Sequence, residues 1–292
     1  MSLAWAIGIS GGATFTLTHR AVFFFWRRNA GSLALRSGYG GKLAHPPMGQ
    51  SSAPKKPVAQ GAETGDSLLR KLAKGWNASR CWIRYLFAGV REGVPGLVQF
   101  VLGNEFFRAS QVAGELTALG EILATLRPKC ALEIGTLRGG TLLFLCRLAS
   151  PQATIVSVDL PGGRFGGGYG STRAWLYKRL ALRRQQLQLL QGDSHSSEML
   201  ARVREILGAQ ELDYLFIDGD HKYEGVKRDF ELYAPLVRKG GLIALHDIAE
   251  HPPTAGCEVS QFWNEIKGRY RHLEMIANRQ QGWAGIGVLY VD

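Results

Sequence analysis

The 292-residue chain has no Asp or Glu in its first 62 residues, no G-x-G-x-x-G, no C-x-x-C and only four cysteines, Cys81, Cys130, Cys146 and Cys257. Each absence narrows the function. Without G-x-G-x-x-G there is no dinucleotide fingerprint, whose glycines and helix N-terminus close around a pyrophosphate, and a nicotinamide oxidoreductase is disfavoured. The cysteines are widely separated and show no Cys/His spacing suited to zinc, so inert thiols in a reducing cytoplasm are expected. The apolar stretch Leu3 to Leu17 is broken by Gly11-Gly12 and follows no basic residue. It makes a poor signal peptide and is too short for a stable membrane span. Lacking acids, residues 1–62 carry Arg20, Arg27, Arg28, Arg36, Lys42, Lys55 and Lys56 among Gly, Ser, Ala and Pro. A disordered basic segment is expected there. The same composition fits an organellar transit peptide or an over-long reading frame.

The formal charge is +11, but it is unevenly spread: residues 1–110 hold 14 Lys and Arg against 4 acids, and residues 111–292 hold 21 against 20. A near-neutral C-terminal part removes the main reason to expect a nucleic-acid substrate.

Pro47 to Pro57 reads as a linker, and Ser67 to Val90 has helical spacing of Leu69, Leu72, Trp76, Ile83 and Leu86 among Arg and Lys. Residues 63–110 are therefore expected to form a basic amphipathic helical cap. From Gln111 the pattern is regular. Helices are expected at Val112–Leu126, Thr141–Leu148, Arg173–Arg184, Ser197–Leu207, Tyr223–Leu236 and Val259–Tyr270. Strands are expected at Ala131–Ile134, Thr154–Val158, Leu187–Leu190, Leu212–Ile217, Leu242–Leu245 and Gly285–Val291. This alternation implies an α/β domain over 111–292, a mostly parallel sheet with helices on both faces.

Two runs carry chemistry. The first, ALEIGTLRGGTLLFLCRLASPQATIVSVDLP from Ala131 to Pro161, reads as strand, glycine turn, helix and strand. Ligands of open parallel sheets bind beyond the carboxyl ends of the strands, where Glu133 and Asp159 lie and where an acid can hold ribose hydroxyls. The turn pattern is Glu133-x-Gly135-x-x-x-Gly139-Gly140, with an acid that repels phosphate and suits a cationic ligand. The second, LDYLFIDGDHKYEGVKRDFELYAPLVRKGGLIALHDI from Leu212 to Ile248, delivers Asp218, Asp220 and His221 after one strand and His246 and Asp247 after the next. Adjacent strands would bring these tips to the edge that carries Glu133 and Asp159.

Five motifs in order, EIGTLRGGT, SVDLP, GDSH, FIDGDHKYEGVKRDF and GGLIALHDI, resemble the class I S-adenosylmethionine-dependent methyltransferases related to the catechol and caffeoyl-coenzyme A O-methyltransferases. They are closer to the bacterial cephalosporin hydroxylase-like and macrolide O-methyltransferase group. The resemblance covers about the last 180 residues and implies a Rossmann-like sheet of seven strands, one of them antiparallel. It also implies that Glu133, Gly135, Thr136 and Gly139 form the turn under the cofactor, with Thr141 near its methionine carboxylate. Asp159 would accept the ribose hydroxyls, and Gly192, Asp193, Ser194 and His195 would edge the adenine. Asp193 and Ser194 are also good helix N-caps.

In the catechol-type enzymes a magnesium ion is held at the position of Asp218 and by an Asp-Asn pair after the next strand. Here Asp247 fits the acid, Ile248 replaces the amide and His246 stands where the macrolide relatives have a carboxylate. A divalent metal, magnesium or manganese, would take Asp218, His246 and Asp247, and the imidazole favours manganese, iron or zinc. His221 falls where the catechol-type enzymes keep a basic lysine and is the candidate base, with Lys222 as its neighbour. The glycine-rich stretch Pro161 to Thr172 is expected to be a mobile flap whose Arg164, Phe165 and Tyr169 contact substrate. The expected function is O-methylation of a hydroxyl on a small-molecule acceptor such as a sugar, polyketide or phenol. The oligomeric state, including a homo-oligomer, stays open. The rival is a non-catalytic module that binds an anionic membrane or nucleic acid through the basic N-terminal region.

Overall fold

The computed structural model describes residues 93–104, 107–163 and 167–292. The expectations for residues 1–62, for the helices at Ser67–Val90 and for Arg164 and Phe165 lie outside the described residues. Seven strands form one sheet: β1 (Cys130–Ile134), β2 (Thr154–Asp159), β3 (Gln186–Gln191), β4 (Leu212–Ile217), β5 (Val237–His246), β6 (Arg271–Met275) and β7 (Ile286–Tyr290). Their order is β3-β2-β1-β4-β5-β7-β6, and β7 alone runs opposite to the other six strands. This is the topology the motifs implied.

Seven α-helices accompany the sheet among the described residues: α1 (Gly93–Gly103), α2 (Ala113–Leu126), α3 (Gly140–Leu148), α4 (Ser171–Tyr177), α5 (Ser197–Leu207), α6 (Tyr223–Tyr233) and α7 (Val259–Ile266). β1 and β2 are buried throughout, as central strands covered on both faces must be. Alternate side chains point to opposite faces. Ala131, Ile155, Tyr214 and Phe216 join Val98, Leu116 and Leu142 of α1 to α3 in one core, and Leu132, Val156, Leu215 and Ile243 join Val203, Val226 and Trp263 of α5 to α7 in the other.

Several elements differ from expectation. α4 stops at Tyr177, short of Arg184, and the buried Gln185 holds the turn that leads into β3. Its Oε1 accepts from Leu182 N at 2.8 Å, and its Nε2 donates to Cys146 O and Ser150 O, each at 2.9 Å. α6 gives way at Ala234 to a 3-10 turn containing Pro235, which cannot continue a helical hydrogen-bond ladder. β6 lies outside the expected strands, and α1 lies within residues 63–110, where a helical cap is expected, but beyond the helical spacing of Ser67–Val90. α1 holds three glycines and a proline in GVPGLVQFVLG yet buries Val94, Leu97, Val98 and Val101. β6, RHLEM, is an edge strand whose first three residues are exposed, so it lacks an apolar signature.

The strand order reverses between β1 and β4, which is where open α/β sheets bind ligands. Ile134 pairs with Val158 on one side and Ile217 on the other, and Ile217 pairs with Leu245. This register brings Gly135, Asp159, Asp218 and His246 to one sheet edge.

Candidate active site

A cavity of about 740 Å³ opens at that edge. Its floor is the turn after β1. Gly135 has φ +94°, and a Cβ there would lie 1.9 Å from the Asp218 carbonyl oxygen, so only glycine lets the tips of β1 and β4 close. Gly139 has φ +76° and faces the Tyr177 ring, which a Cβ would meet at 2.8 Å. Asp159 organises the turn. Its Oδ1 accepts from Thr136 N at 3.0 Å and Leu137 N at 3.2 Å, while its Oδ2 accepts from Gly168 N. The carboxylate expected to hold a ribose thus already joins the turn to the glycine-rich segment.

That segment is less loose than its composition suggests. Tyr169 N donates to Gln191 Oε1 at 3.3 Å, and the Tyr169 ring packs edge-on against Tyr177 with centroids 5.0 Å apart. Tyr169 is buried, so the expectation that it contacts substrate is corrected: its ring is spent anchoring the segment. Two residues expected in the cofactor turn, Glu133 and Gly139, do not line the cavity, whereas Gly135, Thr136 and Thr141 do. Glu133 lies beneath the floor, where Ser157 Oγ donates to its Oε2 at 3.5 Å. Burial pushes its carboxyl up to about 8; the Thr141 hydroxyl opposes this, and the charges of Asp218 and Asp159 add to it.

Gly192, Asp193, Ser194 and His195 form the wall after β3. Asp193 Oδ1 accepts from His195 N at 2.9 Å, and the N-cap of α5 is neither Asp193 nor Ser194 but Ser196, whose Oγ accepts from Met199 N at 3.1 Å. The wall is tied to α6: Tyr233 OH donates to Ser194 O at 2.7 Å, and His195 Nε2 lies 3.3 Å from Oδ1 of the fully buried Asp229. Hydrogen bonding to Asp229 raises the His195 pKa above its ordinary value.

The opposite half of the cavity holds an acid and imidazole cluster. His246 Nδ1 lies 3.1 Å from Asp218 Oδ1 and 3.4 Å from Asp247 Oδ1. His221 Nδ1 lies 3.3 Å from Asp247 Oδ2, and its Nε2 lies 3.7 Å from Asp218 Oδ1. Asp218, His246 and Asp247 present donor atoms within 4.8 Å of one another, as do His221, Asp247 and Cys257. Burial would lower the pKa of His246, but the Asp218 charge and its hydrogen bond overcome this and bring it to about 10. His221 also stays above its ordinary value, with burial outweighed by Asp218 and Asp247. Both carboxyls are held low against burial, chiefly by His246.

Residues 132–248 match a family model described as a methyltransferase domain. Over 151 residues, half of the chain, the sequence is 28% identical to an uncharacterised protein of Sinorhizobium fredii. Over 40 residues it is 50% identical to an uncharacterised protein of Acanthamoeba polyphaga mimivirus. The chain spans only 16% and 18% of those two relatives' lengths. The O-methyltransferase TomG from Streptomyces achromogenes, solved in complex with S-adenosylmethionine, is 16% identical with a TM-score of 0.45, covering 68% of this chain and 89% of TomG.

Within residues 132–248 and around them, the structure adds residues to the site that the sequence motifs do not contain. Gln111 Nε2 donates to Asp218 Oδ2 at 3.1 Å, and His251 Nε2 lies 3.3 Å from Asp247 Oδ1. Cys257, expected to be inert, stands beside His221 and Asp247. None of the three belongs to a strand-end motif. Lys222, the alternative base, is drawn off by Glu258 at 2.8 Å and does not line the cavity. Asp220 is also spent locally, accepting from Lys222 N at 2.9 Å at the start of α6.

Proposed function

We propose that the chain is an S-adenosylmethionine-dependent methyltransferase that methylates a hydroxyl of a small-molecule acceptor, a sugar, polyketide or phenol. One observation carries this reading. The glycine turn of a methyltransferase domain and a cluster of two carboxylates and three imidazoles face each other across one cavity of about 740 Å³, a volume in the range of ligand sites.

In this proposal the cofactor lies over Gly135 to Thr141, with its ribose toward Asp159 and its adenine along Gly192 to His195. The acceptor oxygen attacks the sulfonium methyl in line. The O–C bond forms, the C–S bond breaks with its electron pair going to sulfur, and the hydroxyl proton passes to the His221 imidazole. Positioning supplies most of the acceleration, with general-base help from His221 worth about two to four powers of ten. Asp218 and Asp247 orient His221 and the acceptor hydroxyl.

The donor set of Asp218, His246 and Asp247 fits a divalent ion, since their ligand atoms lie within 4.8 Å of one another. The imidazole suits manganese, iron or zinc better than magnesium. When bound, such an ion lowers the pKa of a coordinated hydroxyl.

Calorimetric titration with S-adenosylmethionine and S-adenosylhomocysteine, with and without manganese or magnesium, tests the reading. Saturable binding of both is expected. No binding of either under any of these conditions overturns it.

A further inference from the structure

Five large apolar side chains are exposed among the described residues: Leu137, Leu160, Trp175, Leu273 and Trp283. Trp175 carries the Arg179 guanidinium 3.3 Å from its ring centroid, and Leu273 lies on edge strand β6. The other three line the cavity. Leu137 and Leu160 follow β1 and β2, on the side of the glycine turn and Asp159. Trp283 alone belongs to the side of the acid and imidazole cluster, because its neighbour Ala284 donates its N–H to Asp247 Oδ1 at 3.0 Å.

The backbone around Trp283 is held from both sides. Glu115, a buried carboxylate of α2, accepts from Ala277 N at 2.9 Å, Gln281 Nε2 at 2.8 Å and Gly285 N at 2.9 Å. Gln281 Nε2 also donates to Trp283 O at 2.7 Å. On the β5 side, Ala249 N donates to Ala284 O at 2.9 Å and Ile248 N to Gly285 O at 3.2 Å. Gly282 and Gly285 have φ of +68° and +85°, which glycine adopts freely, whereas Ala284 at +59° holds a left-handed conformation that a non-glycine residue keeps only where its surroundings impose it. Trp283 is 44% exposed. An aromatic side chain left part exposed on a fixed backbone, lining the same cavity as the acid and imidazole cluster, suits a binding platform rather than a core contact.

We propose that Trp283 is the acceptor platform. A hydroxylated ring, aromatic or pyranose, lies face-on against the indole with one hydroxyl directed at His221 and the Asp218 and Asp247 carboxylates. Both ring types present the shared chemistry, a flat face of π or C–H groups edged by hydroxyls. The inference rests on the methyl-transfer reading and names its acceptor class. Glu115 is its positioning residue, acting through the 277–285 backbone.

The test uses the full chain with S-adenosylhomocysteine bound, titrated by NMR with 4-methylcatechol, methyl β-D-glucopyranoside and the acyclic 1,2-hexanediol. At least one ring probe is expected to bind the wild-type complex at least tenfold more tightly than the diol. Trp283→Ala and Trp283→Leu should weaken that probe tenfold or more, and Trp283→Phe should stay within threefold if the ring is aromatic or stacked. S-adenosylhomocysteine affinity and melting temperature should hold in all three variants, which separates platform from fold. Equal affinity in Trp283→Leu or Trp283→Ala, or a diol that matches both rings, overturns the proposal. So does failure of both rings to bind a wild type that takes up S-adenosylhomocysteine. A wild type that does not bind S-adenosylhomocysteine at all overturns the methyl-transfer reading, and this inference with it.

Discussion

Ala284 donates its backbone N–H to Asp247 Oδ1 at 3.0 Å, and both residues hold left-handed backbone, with φ of +59° and +62°. They are two of the four non-glycine residues with positive φ among those described. Strain of this kind gathers at functional sites, and here it joins the strand that delivers the acid to the segment that delivers Trp283. The link also fixes the Asp247 carboxylate, whose two oxygens face different histidines.

The pair makes a prediction about stability. Ala284 is fully buried, so Ala284→Gly should relieve the backbone and leave stability within about 1 kcal/mol, the entropic cost of glycine offsetting the relief. Ala284→Val adds a branched Cβ in a conformation hostile to it and overfills the site, and should cost about 2 kcal/mol or more. Denaturant unfolding of the two variants checks both. A valine variant as stable as wild type would mean that the left-handed turn is not imposed by its surroundings.

Much of the scaffold was legible in the sequence because its strands are continuous apolar runs and its turn glycines fall at strand ends. Ser197–Leu207 and Leu212–Ile217 coincide with the expected bounds. What stayed hidden is physical in origin. β6 is an exposed edge with no apolar period, and α1 buries its face despite helix-disfavouring residues. In the site, Asp218, His221, His246 and Asp247 share a strand-end signal. Gln111, His251 and Cys257 reach the cluster from loops, Trp283 lines the same cavity and Glu115 holds the Trp283 segment from α2, and only tertiary contacts assign them. At Tyr169 the converse holds: glycine neighbours suggest a loose loop, but hydrogen bonds to Asp159 and Gln191 tie the segment down.

Glu133 should leave a mark on the pH dependence of stability. Its carboxyl is raised to about 8, first by burial, from an ordinary value of 4.5. A raised folded-state pKa means that the native state binds the proton more tightly than the unfolded chain. The associated stability is therefore fully present below pH 4.5 and is lost as pH rises through about 8. Melting of Glu133→Gln should fall less than wild type between pH 5 and pH 8.5, by more than about 3 °C for a domain of this size. Parallel melting curves for the two proteins would show that Glu133 is ionised in the fold at neutral pH.

Asp159 separates binding from architecture. Because its Oδ1 accepts from the turn and its Oδ2 from Gly168, Asp159→Ala should both loosen the fold and weaken S-adenosylhomocysteine. Each lost charge-assisted hydrogen bond is worth about 1.5–3 kcal/mol, tenfold or more in affinity. Asp159→Asn keeps one acceptor for the turn but sets an amide N–H against Gly168 N. It should retain most of the stability while losing about tenfold in affinity. Calorimetry beside thermal melting distinguishes the two effects, and an Asn variant with wild-type affinity would remove the carboxylate charge from cofactor recognition.

His221 decides whether the acid and imidazole cluster performs chemistry. It contacts both Asp218 and Asp247, and Lys222 is committed to Glu258, so the acceptor proton has one nearby imidazole to receive it on this strand end. His221→Ala should lower turnover by about two to four powers of ten while S-adenosylhomocysteine affinity stays within a few-fold, because the base acts on the acceptor and not on the cofactor. Asp247→Ala should reproduce the effect of a chelator if a divalent ion is bound, and manganese should then restore activity better than magnesium, following the His246 ligand. If activity survives the chelator, its pH profile should rise through a pKa above the ordinary 6.5 of histidine. Burial works against that shift, but the Asp218 hydrogen bond and the charges of Asp218 and Asp247 stabilise the imidazolium, and the base must be neutral to act. Full turnover in His221→Ala, on any acceptor that the wild type methylates, would move the proton to solvent and leave His221 as a structural link between Asp218 and Asp247.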